Sequence, residues 1–389
     1  MTSQSSGIPV EKKMFVVSII LLPILFMYAT PISGFTVGDA FLVFSLFFLL
    51  TRLKKVRIES KLLICFLYIV IQFLLLFLLG LLQRPTTSLH YIVYFVGMLL
   101  MPNIRECGLF AIKVLKRVGL FAVILLFIQY VALQFLGVII PGLLTFLPMT
   151  DVGLTNYSEG FQVAGRCMSL FAEPSHYAIY IILFLVCELF EKKGLNFENL
   201  KVPLLISVSI ILCASFTGFI GMLAAWGLKI FYEMRNKSIS FMAVLSIALI
   251  CGLMIIVLFN TVAGSYLTNE DVYSTQSEGR FIGYITLQED LSGSELPLLF
   301  GFGMNDNGSE FNYLPGWPRL IFYYGIIGAL IYVISFMCCA RKRTLSMVVL
   351  IVVAGLMIGT EMNFASFIMP YILIVSIFNK ALYTSDYLI

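Results

Sequence analysis

The chain has 389 residues; 60% are hydrophobic, only 12% are charged, and the mean hydropathy is +1.00. A single water-soluble core of this length does not hide that much apolar surface, so the composition excludes a soluble globular enzyme and places the chain in lipid. A formal net charge of +4 with no basic stripe excludes a nucleic-acid partner.

Near the start, Glu11, Lys12 and Lys13 precede an apolar run from Met14, a pattern resembling a signal peptide. With no small-x-small cleavage site and many further apolar runs behind it, this segment reads as an uncleaved first span. A span needs about 20 apolar residues, fewer at polar breaks. On that basis spans are predicted over 14–29, 38–50, 62–82, 89–101, 115–140, 175–189, 203–215, 218–231, 241–259, 320–340, 345–358 and 364–378. The pair 203–215 and 218–231 also reads as one broken hairpin. The expected fold is all-α and polytopic, a single transmembrane domain over 1–389 with about twelve spans.

Lysine and arginine orient this set. With the N-terminus in the cytoplasm, 21 of the 25 basic residues fall inside, and only Arg84, Arg166, Arg280 and Arg319 fall outside. That asymmetry satisfies the positive-inside rule and predicts both termini in the cytoplasm. Two external segments are long, 141–174 and 260–318, and loops of such length are usually functional or disordered. In the second, Phe281, Ile285, Leu287 and Leu291 have the spacing of a surface-lying amphipathic helix.

The eight cysteines form no C-x-x-C pair and read as small buried hydrophobes. Two histidines, His90 and His176, are too few for a zinc centre, and no metal site is expected. No P-loop, G-x-S-x-G or H-E-x-x-H occurs, which leaves nucleotide-driven work and serine or zinc hydrolysis without support. Asp39, Glu188 and Glu361 lie near predicted span ends, so the mid-span charges that ion-coupled transport needs are missing.

The external basic residues are all arginine, the side chain that grips phosphate bidentately, although an interfacial arginine also snorkels. Arg319 follows Trp317-Pro318 at a predicted helix start, and Arg280 follows Ser277-Glu278-Gly279 at another. A cation there is disfavoured by the helix dipole unless an anion belongs at the same place. The segment 165–176 reads GRCMSLFAEPSH. Pro174 marks a helix start, Glu173 lies near the N-cap and His176 in the first turn. Glu173 reads as dipole complementation or as an acid–base group. His176 reads as an interfacial polar residue or as a neutral base, the form a helix N-terminus favours. Aromatics crowd the outer ends, Tyr157, Phe161, Tyr273, Tyr284, Tyr313 and Trp317 among them, as membrane anchors or sugar-stacking platforms.

The G-R-x-x-S-x-F-x-E-P-S-H segment, the following SFTG at 215–218, and a late loop ending LLFGFGMNDNG…FNYLPGWPRLIFYYGIIG together resemble the Wzy-type polysaccharide polymerases and, more distantly, the O-antigen ligases. The resemblance implies a type-C glycosyltransferase fold in the bacterial cytoplasmic membrane. It implies a donor glycan on undecaprenyl pyrophosphate at the outer face, a lipid-linked repeat unit as acceptor, no cofactor and no metal, and a chain-length regulator protein as partner. It points to Glu173 and His176 as catalytic residues, and to Arg166, Arg280, Arg319, Tyr313 and Trp317 as ligands of pyrophosphate or glycan. The late loop lacks the histidine expected of ligases, which ranks polymerase above ligase; a polysaccharide flippase is the third reading.

Overall fold

The structure, a computed structural model, describes residues 7–32, 34–81, 85–142, 147–150, 166–191, 194–195, 197–236, 295–303, 314–339, 344–357 and 365–377, together with Leu154, Gly252, Ile285, Gln288 and Glu289. Among them there is no strand beyond isolated bridges such as that between Ala29 and Thr36. Helical runs at Ser60–Leu78, Ser88–Leu136, Pro174–Glu191 and Gly316–Cys339 are long and apolar enough to cross a membrane, and Met347–Leu356 and Ser366–Ile377 are shorter apolar helices. The described residues are all-helical, and the chain is a membrane-embedded protein. Its described residues divide between two compact units, 1–112 with 275–384, and 113–274 with 385–389.

The first unit holds α1 (Val10–Leu25), α2 (Val37–Arg52), α3 (Ser60–Leu78) and α4 (Pro85–Leu100), then a 3₁₀ segment (Met101–Cys107) and the first residues of α5 (Gly108–Leu136). It continues with α9 (Glu295–Phe300), α10 (Gly316–Cys339), α11 (Thr344–Leu356) and α12 (Ala365–Ile377). α1 and α2 form a tight hairpin because Gly38 has no Cβ; one would lie 2.9 Å from the backbone nitrogen of Phe26. The Ser18 and Ser45 hydroxyls pair across it at 2.7 Å. α3 buries only Leu62, Cys65 and Ile69 and exposes Leu67, Ile71, Leu74 and Leu78. Each such side chain left in water would cost about 1.5–3 kcal/mol, so this face belongs in lipid.

α10 is a broken helix. Gly325 lies at φ 67°, ψ 179°, a region essentially closed to residues with a Cβ. The break releases carbonyls that must be satisfied inside the protein. Phe302 N donates to Phe322 O at 2.8 Å and Gly303 N to Tyr323 O at 3.0 Å. From α3, Gln72 Nε2 donates to Tyr323 O at 2.7 Å and Tyr68 Oη to Tyr324 O at 2.6 Å. The same two side chains, one helical turn apart, also donate to Phe300 O at the end of α9, at 2.6 and 3.1 Å. The glycines of the GFG and YYGIIG segments serve this junction. A Cβ on Gly301 would sit 2.4 Å from Tyr323 O, and one on Gly328 2.4 Å from the Tyr68 ring.

The second unit holds α5 from Lys113, α6 (Pro174–Glu191), α7 (Phe197–Leu212) and α8 (Phe216–Arg235). α6 is its central helix, with fourteen of eighteen residues buried. Gly218 lets α8 approach α6, since a Cβ there would lie 2.5 Å from that of Ala178. Gly119 does the same for α5 against the Phe184 ring. At the far end of α6, Lys116 pairs with Glu188 at 2.7 Å and with Glu191. A buried Lys229–Glu233 pair at 2.5 Å also accepts the Gly194 N–H, on Glu233 Oε1, at 3.0 Å.

Several expectations change in detail. The broken-hairpin alternative at 203–231 resolves into two helices, α7 and α8, joined by the turn Cys213–Ser215, because Ala214 adopts φ 52° and Ser215 caps the second helix. The expected external loop 260–318 contains a short helix, α9, and its last residues, from Gly316, already belong to α10. The expected span 241–259 lies outside the described residues except for Gly252, as does most of the proposed amphipathic helix around Phe281.

Candidate functional site

The site is built in the second unit, on the connection leading into α6. Three anchors set the course of residues 166–173. Gln129 of α5 accepts the Ser169 N–H on Oε1 at 2.8 Å and donates from Nε2 to Ser169 O at 3.2 Å. The Ser169 hydroxyl donates to Ala122 O at 2.6 Å, which supports its left-handed φ of 56°. Phe171 is fully buried, with its ring 6.0 Å from that of Tyr177 and 5.2 Å from that of Tyr180.

With this connection held, the chain enters α6 at Pro174. Proline suits that place because its missing N–H would be unpaired there anyway. The Glu173 carbonyl accepts the Tyr177 N–H at 3.1 Å, and its carboxylate accepts the Ser175 hydroxyl at 2.8 Å. His176 Nε2 lies 3.8 Å from Glu173 Oε2. The Glu173 side chain is 29% exposed and that of His176 5%, so the acid faces outward and the imidazole sits behind it.

The start of α8 lies beside the start of α6. Cys213 Sγ approaches Pro174 O at 3.7 Å, and Ser215 Oγ accepts the Gly218 N–H at 3.2 Å as the cap of α8. Arg166 joins the two: its Nη1 donates to Ala214 O at 3.4 Å, in the turn between α7 and α8. The structure therefore brings Arg166, Glu173 and His176 into one neighbourhood, with two helix N-termini beside them. Helix N-termini carry partial positive charge and exposed N–H groups, and a guanidinium adds a full charge. The arrangement suits an anion that develops next to a carboxylate and an imidazole able to take a proton. Cys167, beside Arg166, is no nucleophile at neutral pH. Burial pushes its thiol up to about 12, which keeps the thiolate scarce.

The remaining predicted residues lie in the first unit or outside the described residues. Arg319 is buried in the first turn of α10, where its N–H donates to Pro315 O at 3.0 Å. Trp317 is partly exposed, but its indole N–H donates to Ala354 O at 3.1 Å and its backbone N–H to Met357 O at 3.2 Å. Its ring thereby ties α10 to α11. Arg280 and Tyr313 lie outside the described residues. Among the described residues no group of three potential metal ligands comes together.

One polar cluster escaped the sequence reading. Asp39 accepts the Thr36 N–H at 2.8 Å, the Thr36 hydroxyl at 2.7 Å and the Tyr94 hydroxyl, and His90 Nε2 lies 3.7 Å away. The signals were present: Thr36-x-x-Asp39 is a capping box, and His90 and Tyr94 are spaced i,i+4.

No family model matches the chain, and no curated protein and no solved structure matches it.

Proposed function

We propose that this protein is a polysaccharide polymerase of the Wzy type. It joins oligosaccharide repeat units carried on undecaprenyl pyrophosphate at the outer face of the bacterial cytoplasmic membrane, within a type-C glycosyltransferase fold of about twelve spans whose termini are cytoplasmic. The observation that carries this reading is the grouping of Arg166, Glu173 and His176 at the adjoining N-termini of α6 and α8.

In this reading, the acceptor sugar hydroxyl attacks the anomeric carbon of the donor. A new carbon–oxygen bond forms as the bond to pyrophosphate breaks, and the electron pair leaves on a phosphate oxygen. Arg166 and the backbone N–H groups at the helix starts stabilise that charge without reorganising. The hydroxyl proton passes to the Glu173 carboxylate or to His176. The sugar–pyrophosphate bond supplies the free energy, so the reaction uses no nucleotide.

The test is deletion followed by a gel of the surface polysaccharide. Loss of a polymerase leaves core or carrier capped with one repeat unit. Bare core, with polymer stranded on the lipid carrier, would assign the protein to the ligases instead. Purified protein given only lipid-linked repeat units is expected to make a ladder; a product that forms only when core lipid is added would overturn the reading.

A further inference from the structure

The α2–α3 connection in the first unit is charged but rigid. Arg52, Lys54, Lys55 and Arg57 are all exposed, and they alternate with apolar side chains that are exposed too, Val56 at 46% and Ile58 at 54%. A freely solvated loop gains nothing from exposing valine and isoleucine. Nor is its course free to vary. Asn103 grips Arg57 at both backbone groups, accepting its N–H on Oδ1 at 2.8 Å and donating from Nδ2 to its carbonyl at 2.7 Å. Glu59 N donates to Leu99 O at 2.9 Å. The connection is thus held in place at the start of α3, one of the helices apolar enough to cross a membrane.

The carboxylates nearby are already engaged. Arg105 pairs with Glu59 at 2.8 Å and Lys12 with Glu106 at 2.5 Å. Lys54, Lys55 and Arg57 pair with no carboxylate among the described residues. Lys61, just beyond, donates to Cys338 O at 2.5 Å and caps α10, so it serves the fold. Arg52 lies over the Phe48 ring, 5.8 Å from its centroid. What remains is three cations on a fixed strip beside the start of the apolar helix α3, with apolar side chains between them.

We propose that this strip, residues 54–58, is a docking surface for the headgroups of anionic phospholipids. Val56 and Ile58 enter the acyl boundary, and Lys54, Lys55 and Arg57 hold the phosphates beside them. Each basic residue close to an anionic membrane surface contributes about fivefold in partition, an effect confined to about one Debye length. Since the anchoring hydrogen bonds of Arg57 use its backbone, the side chains can be changed without releasing the strip.

The test uses the full chain in nanodiscs with Ile58→Trp as reporter, and the parent chain to subtract the signals of Trp226 and Trp317. Brominated phosphatidylglycerol and brominated phosphatidylcholine are compared as quenchers at equal mole fraction. The expected result is about twofold or greater excess quenching by the anionic lipid, lost when salt is raised to about 0.5 M. The excess is also expected to vanish in Lys54→Gln/Lys55→Gln/Arg57→Gln, and to fall by more than half in Lys54→Gln/Lys55→Gln, which keeps every residue of the Asn103 clasp. Equal quenching by the two lipids would overturn the proposal, as would an excess that persists in the triple variant. Neither result depends on polymer synthesis.

Discussion

Gln129 holds Ser169 by both of its backbone polar groups, accepting the N–H at 2.8 Å and donating to the carbonyl at 3.2 Å. This side chain is one of the three anchors of the connection that carries Arg166 and Glu173. Gln129→Leu fills the same space and removes both partners, leaving a buried N–H and a buried carbonyl. Each unsatisfied group costs about 1–3 kcal/mol. The expected outcome is a clear drop in thermal stability of the purified protein and loss of polymer. Gln129→Glu keeps an acceptor for the Ser169 N–H but turns a fully buried carboxylate toward the Ser169 and Ile140 carbonyls, and is expected to lose at least as much stability as Gln129→Leu. Equal stability of Gln129→Leu and the parent would show that the clasp does not position this connection.

Gly301 and Gly325 meet backbone to backbone where α9 docks on the break in α10. A Cβ on Gly325 would lie 2.3 Å from the Leu299 carbonyl carbon, and the backbone conformation there strongly excludes a side chain. Gly325→Ala therefore carries a conformational cost of about 1–3 kcal/mol before any clash is counted. Gly301→Ala meets the Tyr323 carbonyl and is expected to be comparably harmful. Gly355→Ala, on α11, meets nothing within 4 Å and is expected to match or exceed the parent in stability. Melting of the three variants in one detergent decides the matter.

These two junctions show where the sequence was readable and where it was not. Long apolar runs announced most helices within a few residues, because the pattern of lipid-facing side chains is local. Pro174 announced the start of α6 for the same reason. The GFG and YYGIIG segments were visible only as a resemblance, since a broken helix is satisfied by residues far away in the chain, Tyr68 and Gln72. In the G-R-x-x-S-x-F-x-E-P-S-H segment, the serine and phenylalanine turn out to place the connection, through Gln129 and the aromatic core. The Asp39 cluster went unread because its carboxylate, hydroxyl and imidazole come from two helices whose pairing no single stretch reveals.

Thiol chemistry offers a check on the second unit. Cys167 is buried outside the membrane spans, with its thiol raised from 9.0 to about 12 by burial. A group whose folded pKa is raised contributes stability that is complete below the unfolded value and is lost as pH climbs toward the folded one. Folded protein is therefore expected to leave Cys167 unlabelled by maleimide at pH 8, while exposed Cys338 reacts. Stability is expected to decline between pH 9 and 12, and the Cys167→Ala variant to decline less steeply. Rapid labelling of Cys167 in the folded protein would contradict the buried placement.

The arginines separate phosphate recognition from charge alone. Lysine keeps the charge and loses the planar fork. If Arg166 clamps pyrophosphate, Arg166→Lys is expected to make little polymer at normal membrane levels. Arg319→Lys and Arg280→Lys are measured in the same assay, each as an independent test of its own residue. Full polymer from Arg166→Lys would remove the clamp from the proposed mechanism.

Glu173 has two possible duties that one substitution tells apart. Its carbonyl begins the hydrogen bonding of α6, and its carboxylate accepts the Ser175 hydroxyl 2.8 Å away and faces His176. Glu173→Gln leaves the carbonyl in place and retains a side-chain oxygen to accept from Ser175, but it cannot take a proton from a sugar hydroxyl. If Glu173 only favours the helix dipole, the variant should lose about 1 kcal/mol of stability and little activity. If it is the base, or the carboxylate that orients His176, the rate should fall about a hundredfold or more while the melting temperature moves little. The two effects appear in different measurements, so a fold defect does not pass for a catalytic one. We expect the second pattern, with His176→Gln similarly impaired. An active Glu173→Gln beside an inactive His176→Gln would place the proton acceptor on the imidazole; activity in both would leave the attack to the substrate's own groups.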